Sequence, residues 1–316
     1  MQYRQMGTSG VMVSVVGLGG NTYGRFCDAD QTAAVIHRAL DLGINHVDTA
    51  DMYSSGVSEE HVGRAIADRR ERVVLATKTG FPMGQGPNDV GLSRRRILAS
   101  VEASLRRLGT DYIDLYYLHR PDPMTPIGES LRALDDLVRD GKIRYGAVSN
   151  YAGWQVAEML GICERAGLDR PVVSQNLYNM LDRGIEQELT PACRHFGMSV
   201  IPFSPLAGGF LTGKYRRGEA VPAGVRGANN PAWQAQRLTE HNFAAIEALE
   251  RFARDRGHTM GELAIAWLLA HPVICSVIAG VTRPEQVDAN AAAADWVLGA
   301  DELVDIGRLL DGTGTA

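Results

Sequence analysis

Eight short apolar runs rich in β-branched residues punctuate the chain, and each leads through a loop into a segment whose apolar positions recur at helical spacing. The runs are VSVVGLG (13–19), INHVDTA (44–50), RVVLATK (72–78), YIDLYYLH (112–119), IRYGAVS (143–149), PVVSQN (171–176), SVIPFS (199–204) and VICSVIAG (273–280). The intervening segments have interpretable ends. In SRRRILASVEASLRRLG, Ser93 caps the start, Ile97, Val101, Leu105 and Leu108 share a face, and Gly109 takes the left-handed stop. The same grammar recurs over 126–141, with Leu131, Leu134 and Val138 on the face and Gly141 as the stop. Strict alternation of strand and helix implies parallel strands with right-handed crossovers. Eight such units predict an α/β fold of one domain over residues 1–316, a closed (β/α)8 TIM barrel.

Two segments depart from the alternation. Residues 1–12 read as a two-stranded hairpin ahead of the first barrel strand, placed as a plug over the barrel bottom. Residues 205–237 form a long loop after the seventh strand, rich in Gly, Pro and Arg; loops of that length in compact domains are commonly functional or disordered. VVGLGGNTYG at 15–24 invites a dinucleotide-fold reading. It fails because the third glycine of G-x-G-x-x-G falls at Thr22 and no convincing helix begins before about Asp30.

Composition narrows the classes of function. A hydrophobic fraction of 45% and a charged fraction of 22% are those of an ordinary globular protein. The net charge of -5 argues against nucleic acid or an anionic membrane as the main partner. LAIAWLLAHPVICSVIAG (263–280) is broken by His271 and Pro272, which reads as a buried helix and strand, not a membrane span. Cys27, Cys163, Cys193 and Cys275 show no C-x-x-C spacing, so neither a metal site nor a disulfide framework is expected. The amino terminus lacks the apolar core of a signal peptide, and a cytoplasmic location is expected.

A parallel barrel carries its chemistry at the carboxyl ends of its strands. Asp48 ends the second strand, Lys78 the third and His119 the fourth, with Tyr53 in the loop just after Asp48. Singly, such residues are turn formers, solvated cations or hydrogen-bonded core groups. Jointly, on neighbouring strands, they suggest a site. A Lys facing inward needs a carboxylate, which Asp48 supplies. A tyrosine beside that cation has its pKa drawn from about 10 toward neutrality, each unit being about 1.4 kcal/mol, and becomes a usable general acid or base. His119 is placed to hydrogen-bond a carbonyl oxygen. Asp51 reads as a loop-forming or pocket-edge residue.

The motifs HVDTADMY, ATKTG, YYLHRPD, GAVSN, SQNLYN, FSPLAGGFLTGKY and GVTRPEQVDAN, in this order from about residue 2 to 298, resemble the signatures of the aldo-keto reductases. The arrangement is similar to bacterial members and to the branch of potassium-channel beta subunits. The resemblance implies a catalytic set of Asp48, Tyr53, Lys78 and His119, hydride exchange between NADP(H) and a small carbonyl substrate, and no metal. It places Gly20 and Asn21 beside the nicotinamide, Ser149, Asn150 and Gln175 on its carboxamide, and Phe203, where many relatives have Tyr or Trp, stacked on its ring. Ser204, Leu206, Gly208, Lys214 and Arg226 fall where the family wraps the pyrophosphate. Gly280, Thr282, Arg283, Gln286 and Asn290 fall at the adenosine half and its 2'-phosphate; Gly280 stands where vertebrate aldose reductases carry Lys. Tyr23, Met52, Phe81, Arg120 and Trp233 are expected to edge the substrate pocket. Two other classes compete: a cofactor-binding regulatory subunit with slow residual reductase activity, and a barrel hydrolase using Asp48 and Asp51 as paired carboxylates.

Overall fold

The computed structural model describes residues 1–222, 227–228 and 230–312. A two-stranded antiparallel hairpin, β1 (Tyr3–Gln5) and β2 (Met12–Ser14), precedes eight strands: β3 (Val16–Gly19), β4 (His46–Asp48), β5 (Val74–Thr79), β6 (Ile113–Leu118), β7 (Ile143–Ser149), β8 (Val173–Leu177), β9 (Ser199–Phe203) and β10 (Val277–Ala279). These eight pair in parallel in the order β10-β3-β4-β5-β6-β7-β8-β9. The seam closes through a parallel bridge between Val200 and Ile274. There Val200 N–H donates to Val273 O at 2.8 Å, and Cys275 N–H donates to Val200 O at 3.3 Å. With helices packed around the outside, this is the (β/α)8 TIM barrel that the alternation predicts.

Helix ends follow local chemistry. In the helix Arg94–Leu108, the Ser93 hydroxyl accepts from Arg96 N–H at 3.3 Å, and Gly109 terminates the helix at φ 61°. Ile97, Val101 and Leu108 are buried, and Leu105 is half-buried. The helix Ile127–Arg139 presents Leu131, Leu134 and Leu137 to the core, with Val138 at the margin. The helix Met260–Leu269 is buried nearly throughout and starts from a Thr259–Glu262 capping box. Among the described residues, no helix is long and apolar enough to cross a membrane.

Several strand boundaries differ from the expected runs, and two of the differences bear on the hairpin and the seam. The run 13–19 divides: Met12–Ser14 belongs to the hairpin and Val16–Gly19 to the barrel. The Ser14 hydroxyl donates to Val16 O at 2.7 Å, a local bond that turns the chain between the two sheets. The run 273–280 contributes only Val277–Ala279 to the ladder, with Ile274 at the seam.

The hairpin plugs the amino-terminal end of the barrel. Met6 and Val13 are fully buried and pack inside it against Ala76, Leu115, Tyr117, Ala147, Val173, Ile201, Cys275 and Ile278. Arg4 ties the plug to the last unit, donating to Ile274 O at 2.7 Å and Leu269 O at 2.6 Å. With its bottom sealed, the barrel opens at the carboxyl ends of its strands. Met6→Ala removes a filled position with little room to collapse and should lower unfolding stability by about 2–5 kcal/mol, read from the urea midpoint at constant slope.

Candidate functional site

Asp48 is the last residue of β4, Lys78 lies one residue from the end of β5, and His119 follows β6, where its N–H donates to Thr79 O at 2.8 Å and keeps it in register. Side chains alternate along a strand, so Asp48 and Lys78 both turn into the barrel. There the Lys78 ammonium, 0% exposed, ion-pairs with Asp48 Oδ1 and donates to Thr49 O at 2.7 Å. The second oxygen of Asp48 accepts from Gln175 Nε2 at 2.9 Å. Burial disfavours the ammonium, but the charge of Asp48 and the interactions with Asp48 and Tyr53 outweigh it, holding Lys78 above its ordinary pKa.

Tyr53 opens a short 3-10 turn, Tyr53–Gly56, immediately above this pair. Lys78 Nζ lies 5.1 Å from the Tyr53 ring centroid and 5.5 Å from that of Tyr117. His119 contacts Tyr53 edge to face at 6.0 Å and Phe81 at 4.7 Å. Burial, then the positive charges of Lys78 and Arg120, push the imidazole down to about 2, so it is neutral at ordinary pH. The arrangement is therefore a buried cation, its carboxylate, a neutral imidazole and a phenol at one mouth.

Backbone strain concentrates around that mouth. Among the described residues other than glycine, positive φ occurs at Ser54, Ser55, Asn150, Ser204 and Ala207, all in loops at the carboxyl ends of barrel strands. Asn150 is held by donating through Nδ2 to His119 O at 3.0 Å, and the Ser204 carbonyl accepts from Asn179 Nδ2 at 3.0 Å. Strain of this kind persists where surrounding bonds over-determine the loop, and it clusters at sites.

Two cavities meet here. One, of about 220 Å³, lies over the four residues and is lined by Asp48, Tyr53 and His119 together with Asn21, Ser149, Asn150, Gln175, Phe203, Ser204 and Gly280. The other, of about 520 Å³, continues from Ser204 and Gly280 past Leu206, Gly208, Lys214, Thr282, Arg283 and Gln286. Gly280 lies at the junction, where a Cβ would approach the end of the Asn21 side chain to 2.8 Å. Arg283 is exposed at the start of the helix Pro284–Ala292 and has no ion-pair partner among the described residues. Gln286 Oε1 accepts from Thr282 N–H at 2.7 Å, ordering the same turn.

Several expected positions fall elsewhere. Tyr23, expected at the pocket edge, is fully buried: the Ser54 hydroxyl donates to its carbonyl at 2.9 Å, and the left-handed Gly24 turns the chain behind it. Trp233, on the helix Pro231–Arg237 inside the long connection, packs with Tyr215 at 5.2 Å and Phe210 at 6.2 Å against Gly208, in an aromatic cluster formed within that connection. Gly20 is in the wall, where a Cβ would lie 2.9 Å from Asp48 O, and Asn290 is buried outside the cleft lining. Arg226 lies outside the described residues. Met52 and Phe81 are half-buried near the mouth, and Arg120 stacks on Phe81 at 4.3 Å. Asp51 is 1% exposed and points away from the cavity toward Arg96, so it is not at the pocket edge. Sequence reasoning also passed over Gly209, Thr212, Thr22 and Phe26, which line the larger cavity. Only the adjacent left-handed pair Gly208-Gly209 carried a sequence signal.

The aldo/keto reductase family model matches residues 15–311. The chain is 38% identical over 304 residues to a probable voltage-gated potassium channel subunit beta of Arabidopsis thaliana, covering 94% of this chain and 92% of that protein. It is 34% identical over 303 residues to an L-glyceraldehyde 3-phosphate reductase of Escherichia coli, covering 93% and 87%. It is 36% identical over 329 residues to a versiconal hemiacetal acetate reductase of Aspergillus parasiticus, covering 96% and 95%. A match across nearly the whole barrel, together with these relatives, establishes that the chain belongs to the aldo/keto reductase family.

Proposed function

We propose that the protein is an NADP(H)-dependent oxidoreductase that interconverts the carbonyl and alcohol forms of a small aldehyde, ketone or sugar-derived substrate, with Tyr53 as general acid and base. The observation that carries this reading is the phenol of Tyr53 standing over the buried Lys78–Asp48 pair in a cavity that joins a second, larger one at Ser204 and Gly280. The residues present fit such a cofactor. The smaller cavity offers Phe203 as a flat face and Ser149, Asn150 and Gln175 as amide partners, and the larger adds Lys214 and Arg283 for phosphate charge. A guanidinium at a helix start, with no ion-pair partner among the described residues, favours a 2'-phosphate and hence NADP over NAD.

A bound nicotinamide supplies or accepts the hydride. The chain's own residues handle the proton. In reduction the Tyr53 hydroxyl donates to the carbonyl oxygen as charge develops there, and the Lys78 ammonium stabilises the phenolate left behind. Asp48 keeps Lys78 charged, and Gln175 keeps Asp48 oriented. His119, neutral, hydrogen-bonds the same carbonyl oxygen and fixes which face is attacked. The hydrolase alternative has no geometric support, because Asp48 faces Lys78 in the barrel while Asp51 faces Arg96 outside it.

A second reading, a cofactor-binding regulatory subunit with slow turnover, is favoured by the 38% identity to a protein named as a channel subunit. Slow turnover, NADPH retained through purification and recovery of a membrane protein on an affinity column would select it.

Tyr53→Phe should lower kcat for a panel of aldehydes about 100- to 10,000-fold while leaving NADPH binding, read by nicotinamide fluorescence, unchanged. Full activity in that variant would remove Tyr53 from the mechanism. Because the imidazole is already deprotonated far below neutrality, no break from His119 should appear in the kcat profile between about pH 5 and 8. A break there that disappears in His119→Asn would contradict its assigned neutral state. Arg283→Ala should raise the KM for NADPH about tenfold or more and leave that for NADH nearly unchanged.

A further inference from the structure

Asp51 takes no part in the proposed reaction, yet its side chain is buried two residues from the catalytic tyrosine. A buried carboxylate costs several kcal/mol unless it is paired, so its placement calls for a physical reason. Its backbone N–H donates to Lys78 O at 3.1 Å, continuing the β4–β5 pairing beyond Asp48, and Tyr53 N–H then donates to Ala50 O at 3.1 Å. The loop from Asp48 to Tyr53 is thus laid along the strand that carries Lys78.

The Asp51 carboxylate turns outward, where Arg96 Nη2 of the helix Arg94–Leu108 lies at 3.4 Å, itself only 11% exposed. Glu59, from the helix Val57–Ile66, faces the same region but is already engaged: it accepts from Arg107 Nε at 2.6 Å and from the Thr77 hydroxyl at 2.6 Å. Tyr116 of β6 closes the chamber from the barrel wall. Burial and the charge of Glu59 raise the Asp51 carboxyl to about 7, with Arg96 opposing them. Thr79 and the charge of Arg107 oppose them too, and of these groups Arg96 is the one in ion-pair contact with the acid.

Directly after Tyr53 come three left-handed residues, Ser54 at φ 49°, Ser55 at φ 55° and Gly56 at φ 98°. Such a run relaxes unless held on both sides. Its far side is held by the Ser54 hydroxyl on Tyr23 O at 2.9 Å and the Ser58 hydroxyl on Gly20 O at 2.9 Å. On its near side Asp51 is in ion-pair contact with Arg96 of the neighbouring helix.

We propose that the Asp51–Arg96 pair is the positioning anchor of the Tyr53 loop, fixing where the phenol hydroxyl meets Lys78 without itself touching substrate or cofactor. Its effect on turnover rests on the reductase reading; its effect on the phenol does not. Asp51→Asn and Arg96→Met should each lower kcat about tenfold while the KM for NADPH stays within about twofold, and Arg96→Lys should recover most of the loss. In parallel, protein labelled with 13C at tyrosine Cζ reports the phenol directly, its Tyr53 line assigned by loss in Tyr53→Phe. That line should be single in the native protein and shifted or doubled in Asp51→Asn and Arg96→Met.

Should the native protein reduce no carbonyl, the reductase reading falls and the Tyr53 line alone decides the anchor. If Asp51→Asn does not fold by near-ultraviolet circular dichroism, the comparison of Arg96→Met with Arg96→Lys carries the test. Native kcat in the folded charge-removing variants, an equal loss in Arg96→Lys, or a Tyr53 line at its native position overturns the proposal.

Discussion

The ammonium of Lys78 has no access to water, and most of the upper barrel follows from that fact. A cation buried this way is tolerated only with a carboxylate and further acceptors around it, and breaking such a pair from one side costs about 3–5 kcal/mol. Asp48, the Thr49 carbonyl and Gln175 provide the surroundings from β4, the loop above it and β8. Strands on opposite sides of the barrel are thereby tied through one charge. The hairpin plug, with Met6 and Val13, seals the opposite end and keeps the middle of the barrel dry. In that low-dielectric setting, a phenol and an imidazole at the mouth feel the ammonium strongly, and the neutral state of His119 is one consequence.

A second charge system lies outside the barrel wall and separates the two acids of HVDTADMY. Strand alternation sends Asp48 inward, and the loop geometry beyond it sends Asp51 outward to Arg96. Between them, Tyr53 sits at the start of a strained left-handed run. The strain is local; the bonds that sustain it come from one helix distant in sequence, Arg94–Leu108, through Arg96 and Arg107, and from the first rim loop, through Tyr23 and Gly20. Order in the mouth is thus supplied by the helical shell as much as by the barrel.

Much of the fold was legible because barrel units repeat a short-range grammar. The 2.0 and 3.6 periodicities, Ser93 as a cap and Gly109 and Gly141 as stops depend only on neighbours along the chain. The split of the run 13–19 was not legible. No turn residue marks a break between Ser14 and Val16, and what divides the run is the Ser14 bond to Val16 O and the competition between two sheets. Asp48, Lys78 and His119 were readable as rim residues because strand ends are visible in the pattern. Tyr23, in the first rim loop, and Trp233, on the helix Pro231–Arg237 within the long connection, turn away from the expected pocket edge, because sequence proximity to the rim does not say which way a ring turns.

By itself the sequence determined the alternation of elements, the parallel barrel, the family and the candidate residues at the strand ends, since each depends on periodicity or on motifs in a set order. The tertiary structure decided which of those side chains meet. It paired Gln175 with Asp48, turned Asp51 away from the cavity onto Arg96, buried Tyr23 and drew Trp233 into the aromatic cluster within the long connection. Partners such as these lie 45 or 127 residues apart, and desolvation of their charges depends on packing from every side, which no local pattern records.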